Sequence, residues 1–364
     1  MKILLLGFGK IAYMPYLNFY LDALKAVQNA QIELIYWDRD GKPDAEVPAQ
    51  ISRAYKFEAF LEEQLPFKKK LKFFAKYRAF ALKVLRQNRY DRIVVLQNTP
   101  GLTLLDYLSL HYKGRYLVDF RDFSYEYIPV YRKLVARLSD KAACTFVSSN
   151  AFRKVLSDQT KVYTIHNYLE DSLKHIGLRN AAPRDREVLR VSYWGLVRQV
   201  EINKRVMDAL GNDPRFELHY YGRMQQDGRD MEEYAQSKRY QNVFFHGPYT
   251  PPERYGFAAD TEILHNLYDL VHRTANAMGN KVYDGVIFEI PQICTEGSYM
   301  GDVITERQVG IEVDPADPRL ADRLWDYYRG IDWPAFRKNC ETARELVFAE
   351  QSAAKQRLMQ FFEE

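Results

Sequence analysis

Residues 276–302 read NAMGNKVYDGVIFEIPQICTEGSYMGD. Val282, Tyr283, Val286 and Ile287 recur at helical spacing from Asn280 onward, and Pro291, which pushes Ile290 extended, ends the helix. Gln292 to Thr295 then reads as a short buried strand. The first turn of such a helix has unpaired amides and the positive end of the dipole, so it attracts anions. Gly279 lets a phosphate approach closely, and Asn280 opens the helix. Lys281 in the first turn and Asp284 three residues on project from one face. One is a cation for phosphate and the other an acceptor for hydroxyls, the pairing a nucleotide needs. The plainer alternative is a solvated helix whose Lys281 and Asp284 form an exposed pair worth under about 1 kcal/mol.

Working outward, 364 residues suit two domains of about 150 to 180 residues. Hydrophobic residues at 47% and charged residues at 27% describe a globular chain, with 27 Tyr and 21 Phe as the one excess. A net charge of +4 and the lack of any recognisable nucleic-acid motif argue against a nucleic-acid partner. Cys144, Cys294 and Cys340 are odd in number and widely spaced, which suggests neither a disulfide framework nor a zinc site and fits a reducing cytoplasm. Residues 1–8 form an apolar strand much shorter than a secretory signal, and no run reaches the length of a membrane span.

Two alternating strand–helix series follow. Lys2 to Leu6 runs into Gly7-Phe8-Gly9-Lys10-Ile11-Ala12, then a helix with Leu17, Tyr20, Leu21 and Leu24. Gly7, Gly9 and Ala12 fit the dinucleotide fingerprint, and Asp38 ends the second strand where a ribose-binding acid would lie. That pattern keeps a NAD-dependent oxidoreductase in play. Between Phe67 and Tyr90 stand nine Lys or Arg and no acid, with Phe67, Leu71, Phe74, Ala81 and Leu85 along one stripe. Two readings stay open for 67–90: a helix lying on an anionic membrane surface, or a sheet-covering helix with a wet basic side. Strands at 91–97, 115–119, 143–147 and 162–165 complete the first series, and His166 follows the last of them. Residues 176–188 lose periodicity and gather Pro183 and charges, which marks a linker. The second series opens at Val188 to Tyr193 and turns through Trp194, Gly195, Leu196, Val197 and Arg198 into a helix at 202–210. Further strands lie at 216–221 and 242–247, and a polar one near Thr261, Glu262 and His265 precedes the opening stretch.

The order Gly279, Lys281, Asp284, Ile290-Pro291 resembles the donor-binding segment of GT-B glycosyltransferases, above all the retaining glycogen-synthase-like group of bacterial polysaccharide enzymes. The resemblance spans roughly residues 1–345. In that group one Glu is followed, after seven residues, by a second; here Asn276 stands at the first position and Asp284 at the second. The resemblance implies an α/β architecture of two facing Rossmann-like domains with a central cleft. Residues 1–175 would form the acceptor-side domain, 176–188 the linker and 189–345 the nucleotide-sugar domain, while 346–364 would form a helix crossing back to the first domain.

It also implies roles. Gly195, Arg198 and Lys204 match the turn, Arg and Lys that hold a donor diphosphate, alongside Asn276, Gly279, Asn280, Lys281 and Asp284. Asp119-Phe120-Arg121-Asp122 is similar to the D-x-R-D of several bacterial GT-B enzymes, and Asp122 becomes the acceptor-hydroxyl contact, or the base if the reaction inverts. Gly7, Gly9, Lys10 and His166 complete the acceptor side. Arg198 and Lys281 would stabilise the leaving diphosphate in place of a metal, each such donor supplying on the order of 3 kcal/mol. The co-substrate is then a nucleotide-sugar with no metal or other cofactor, and the acceptor a glycan or lipid-linked glycan of surface polysaccharide synthesis. The setting is cytoplasmic or peripheral on the inner membrane face. A catalytically silent sugar-binding protein is the further alternative, since Asn276 replaces an acid.

Overall fold

A computed structural model of the chain describes residues 1–61, 65–179, 187–224 and 229–364. Its strands are β1 Lys2–Leu6, β2 Gln31–Asp38, β3 Ile51–Glu58, β4 Arg92–Leu96, β5 Tyr116–Phe120, β6 Cys144–Val147, β7 Val162–Thr164, β8 Leu189–Trp194, β9 Phe216–Tyr221, β10 Val243–Gly247, β11 Ile263–Asn266, β12 Gln292–Thr295 and β13 Gly310–Val313. The α-helices are α1 Leu17–Leu24, α2 Phe67–Gln87, α3 Asn98–Thr103, α4 Leu105–His111, α5 Pro129–Lys141, α6 Val200–Leu210, α7 Arg229–Ser237, α8 Glu253–Ala259, α9 His272–Ala275, α10 Asn280–Phe288, α11 Tyr299–Glu306, α12 Leu320–Arg329 and α13 Trp333–Glu363. The chain divides into two compact units, Met1–His166 with Ala349–Glu364, and Asn167–Phe348. Of the stretch 176–188 expected as a linker, residues 180–186 lie outside the described residues.

The first unit is built on a parallel sheet in the order β3-β2-β1-β4-β5-β6-β7. Its inner strands are continuous apolar runs because helices cover both faces. Ile3 and Leu5 of β1 point to the side closed by Leu17, Tyr20 and Leu21 of α1 and by Leu358 and Phe361 of α13. Leu4 and Leu6 point to the other side, closed by Tyr77, Ala81 and Leu85 of α2, Leu108 of α4 and Leu138 of α5. Each fully buried aliphatic side chain contributes roughly 1.5–3 kcal/mol by leaving water. β3 is an edge strand, and Ser52, Arg53, Lys56 and Glu58 keep its apolar signal weak.

The second unit repeats the plan with the order β10-β9-β8-β11-β12-β13, all parallel. Strand order reverses between β8 and β11, and ligands of doubly wound sheets bind at the carboxyl ends beside such a reversal. α13 belongs to both units. Its Trp333, Phe336, Cys340 and Ala343 fill the core of the second, whereas Ala354, Leu358, Phe361 and Phe362 fill that of the first. The chain thus returns to its first unit by its last helix, where Arg92 Nε donates to the Phe361 carbonyl at 2.8 Å. No described helix is long and apolar enough to cross a membrane.

Candidate functional site

At the carboxyl end of β8 the chain must turn sharply from strand to α6. Gly195 adopts φ +111°, and a Cβ on Gly222, at the end of β9, would stand 1.7 Å from the Gly195 carbonyl oxygen. Only a pair of glycines lets these two turns touch. The turn then presents Arg198, whose guanidinium is exposed and lies 5.7 Å from the Tyr268 ring centre.

A buried polar chain fixes this loop. Asn203 of α6 donates to the carbonyls of Arg198 (2.7 Å) and Gln199 (3.0 Å). Its own Oδ1 faces Nε2 of His265 at 2.9 Å, and the Leu267 amide donates to His265 Nδ1 at 3.1 Å. Nδ1 must therefore accept, so the proton sits on Nε2 and donates to Asn203. Burial first, and the neighbouring Lys281 second, push the His265 pKa well below its ordinary value and keep the ring neutral. The polarity of β11 and of the two residues that lead into it now has an explanation. Thr261 hydrogen-bonds Ser192 and the Phe257 carbonyl, Glu262 pairs with Arg179, and His265 holds the loop bearing Arg198.

α10 begins beside this turn. Gly279 precedes it, and a Cβ there would sit 3.2 Å from Met300 Sδ and 3.7 Å from Tyr268 Oη, so glycine keeps the helix start close to Tyr268. Lys281 is buried, at 6% exposure, and its Nζ lies 3.2 Å from the Tyr193 ring centre and 5.1 Å from that of Tyr268. Among the described residues this ammonium has no hydrogen-bond partner. Burial, and after it the charge of Arg198, hold its pKa well below the usual lysine value. A buried cation supported only by aromatic faces is costly, and an anion that reached it would relieve the cost.

Asp284 is engaged separately. Trp194 Nε1 donates to its Oδ2 at 2.8 Å, and Arg254 Nη1 of α8 lies 3.3 Å from the same oxygen. Burial raises its pKa to about 6, against the opposing pull of Arg254 and Trp194. With Lys281 and Asp284 both buried, an exposed ion pair on a wet helix is not what these residues form. Arg254 is in turn fixed by Ser172 Oγ at 2.7 Å.

Thus Arg198, Gly195, Gly279 and Lys281 come together around Tyr193 and Tyr268, with Asn280 exposed at the helix start. Lys204 turns elsewhere, to Glu201 at 3.4 Å and the Tyr234 ring of α7 at 5.2 Å. Asn276 is half-buried at the end of α9. Tyr193, Tyr268, Trp194, Asn203 and Arg254 were not anticipated as site residues. Two of them had a positional signal, Tyr268 two residues past the end of β11 and Trp194 at the end of β8 in the turn leading to Arg198.

In the first unit, the turn after β1 satisfies itself. The segment Ile11–Tyr13 is a 3-10 turn and α1 starts only at Leu17. The amides of Ile11 and Ala12 donate to the Asp44 carboxylate at 3.1 and 2.9 Å. Lys10 is buried, 3.4 Å from Asp38 and paired with Asp40, while the Gly41 amide donates to Asp38 at 3.0 Å. A Cβ on Gly7 would sit 2.9 Å from Met14 Sδ, and the Gly9 carbonyl accepts from Trp37 N at 3.2 Å. The groups a dinucleotide would use in this fingerprint are thus occupied by the chain. At the end of β5, Arg121 is buried against Asp119 at 2.7 Å, with Asp122 exposed beside it. His166 Nε2 lies 2.7 Å from Glu350 of α13, and its backbone amide donates to Gln351 at 2.8 Å.

No protein-family model matches the chain, and no curated protein matches its sequence. Solved structures do match. Sucrose-phosphate synthase from Thermosynechococcus elongatus superposes with a TM-score of 0.69 at 15% identity, covering 100% of this chain and 98% of that one. Anabaena HepE in complex with UDP gives 0.67 at 14% identity, with 99% and 100% covered. The lipopolysaccharide outer core galactosyltransferase WaaB, in its apo form, gives 0.66 at 14% identity, with 98% and 99% covered. At these identities the likeness establishes the fold.

Proposed function

We propose that this chain, whose two Rossmann-like units and returning helix make up the GT-B fold, is a glycosyltransferase that moves a sugar from a nucleotide-sugar donor to a glycan or lipid-linked acceptor. The fold likeness includes HepE bound to UDP and a lipopolysaccharide galactosyltransferase, which supports a nucleotide-sugar donor and a place in surface polysaccharide assembly on the cytoplasmic side of a membrane. One observation carries the reading: a buried lysine, Lys281, with no hydrogen-bond partner among the described residues, in the first turn of α10 beside an exposed arginine, Arg198. Breaking a sugar–phosphate bond builds charge on the leaving diphosphate. Lys281, Arg198 and the first-turn amides of α10 would take up that charge as fixed donors, with no reorganisation at the moment of transfer. Asp284 would accept from the ribose hydroxyls, and Asp122 would meet the acceptor hydroxyl.

The filled Gly7–Ala12 turn weighs against the NAD-dependent reading, because Asp44 already takes the amides and Lys10 the acid at Asp38. Calorimetric titration of UDP, GDP and NAD into the chain separates the two. Saturable binding of one nucleoside diphosphate is expected, and saturable NAD binding with no nucleoside diphosphate bound would overturn the reading. Turnover of the matching nucleotide-sugar then separates a transferase from a silent sugar-binding protein.

A further inference from the structure

We infer that the face of the first unit formed by α2, α4 and α5 docks on an anionic lipid bilayer. These helices share one side of the sheet through Tyr77, Ala81, Leu108 and Leu138. Between α4 and α5 runs an open groove of about 630 Å³ lined by Leu102, Leu105, Leu110, Leu134 and Arg137, among others. Its apolar rim is not covered: Leu110 is 77% exposed, and Val130 on the same helix as Leu134 is 67% exposed. Leu71 near the start of α2 is also exposed. Large apolar side chains in such a setting mark an interaction surface.

The charge around them selects the occupant. Lys68, Lys72, Lys76, Lys83 and Arg86 are exposed along α2, which has no acid. Arg132, Lys133 and Arg137 are exposed on α5. Asp106, the acid at the groove, is already held by Arg78 in two 2.7 Å bonds, and Asp140 on α5 is half-buried. A second copy of this chain pairing through the same patch would set these cations against one another. Anionic headgroups neutralise them while the leucines enter the acyl boundary, and each lysine or arginine near such a surface adds to the affinity. The inference does not depend on the transferase reading, since vesicle binding requires no transfer.

The test is flotation of the full chain with vesicles of phosphatidylcholine, with and without phosphatidylglycerol, at low and high salt. Binding is expected only with phosphatidylglycerol and should weaken as salt rises. Lys72→Glu/Lys76→Glu/Lys83→Glu and, separately, Leu110→Ser/Leu134→Ser should each lower the partition by about tenfold or more. Unchanged melting and unchanged nucleotide response in both variants would exclude misfolding and keep this result apart from the donor-site question. Equal binding to both vesicles, or none at low salt, would overturn the inference. So would a change in oligomeric size on Leu110→Ser/Leu134→Ser with vesicle binding intact, which would assign the surface to a protein contact.

Discussion

Replacing Lys281 by Met should make the protein more stable and cut its response to a nucleotide by half or more. Met fills nearly the same volume and makes favourable sulfur–aromatic contacts of about 0.3–1.5 kcal/mol with rings such as Tyr193 and Tyr268. The native amine leaves a buried donor without a hydrogen bond among the described residues. Such a group costs roughly 1–3 kcal/mol, of which a cation–π contact over Tyr193 returns about 0.5–2 kcal/mol. The net gain for Met is on the order of 1–2 kcal/mol. For a unit the size of Asn167–Phe348 that is a rise of about 2–8 °C in Tm. The sign with pH follows from the depressed lysine pKa. As pH falls from the ordinary lysine range, the unfolded chain takes up the proton first, so wild type loses stability relative to the variant. In the same melting experiment UDP at a hundredfold excess over its Kd should stabilise wild type by about 2.7 kcal/mol. The variant lacks a charge-assisted hydrogen bond worth about 1.5–3 kcal/mol, so at that concentration its shift should shrink to about 0.3–1.3 kcal/mol. A Met variant that melts lower than wild type and still responds fully to UDP would mean that Lys281 neither costs the fold stability nor meets the diphosphate.

Asp284→Asn should change how stability depends on pH. Because the folded carboxyl is held at about 6 against an ordinary 3.8, the folded state binds the extra proton between those values. Wild type should therefore lose on the order of 3 kcal/mol relative to Asp284→Asn as pH rises through that window, read by urea unfolding at pH 4 and 7. Arg198→Ala removes an exposed side chain, so nucleoside diphosphate affinity should fall roughly tenfold or more by calorimetry while the melting temperature moves little. Asn203→Ala strands the His265 Nε2 proton and two carbonyls at the loop of Arg198, and thermal unfolding should report a loss of about 1–3 kcal/mol together with weaker nucleotide binding.

Much of this architecture was legible because parallel strands buried on both faces must be apolar throughout, as Lys2–Leu6 and Arg92–Leu96 largely are. β3 escaped notice, since an edge strand with Arg53, Lys56 and Glu58 carries little apolar signal. The helix and strand of residues 276–302 were readable because a glycine, a first-turn cation and a proline stop lie within one short stretch. Their supporting residues were not. Trp194 and Arg254 reach Asp284 from 90 and 30 residues away, and nothing local in either residue foretells it. Spacing likewise could not tell that Lys281 turns inward onto Tyr193 while Lys204 turns to Tyr234, because the two differ in what packs on them. The Gly7–Ala12 fingerprint carried the letters of a dinucleotide site, and only the position of Asp44 reveals that its amides are already taken.

The proposed function requires that a nucleoside diphosphate bind in the second unit against Lys281 and Arg198. A crystal structure of the full chain grown with UDP would locate that diphosphate. Diphosphate oxygens are expected within hydrogen-bond distance of Lys281 Nζ and the Arg198 guanidinium at the start of α10. Density for the nucleotide at the Gly7–Ala12 turn of the first unit, with Lys281 still lying on Tyr193, would rule out a donor site at α10.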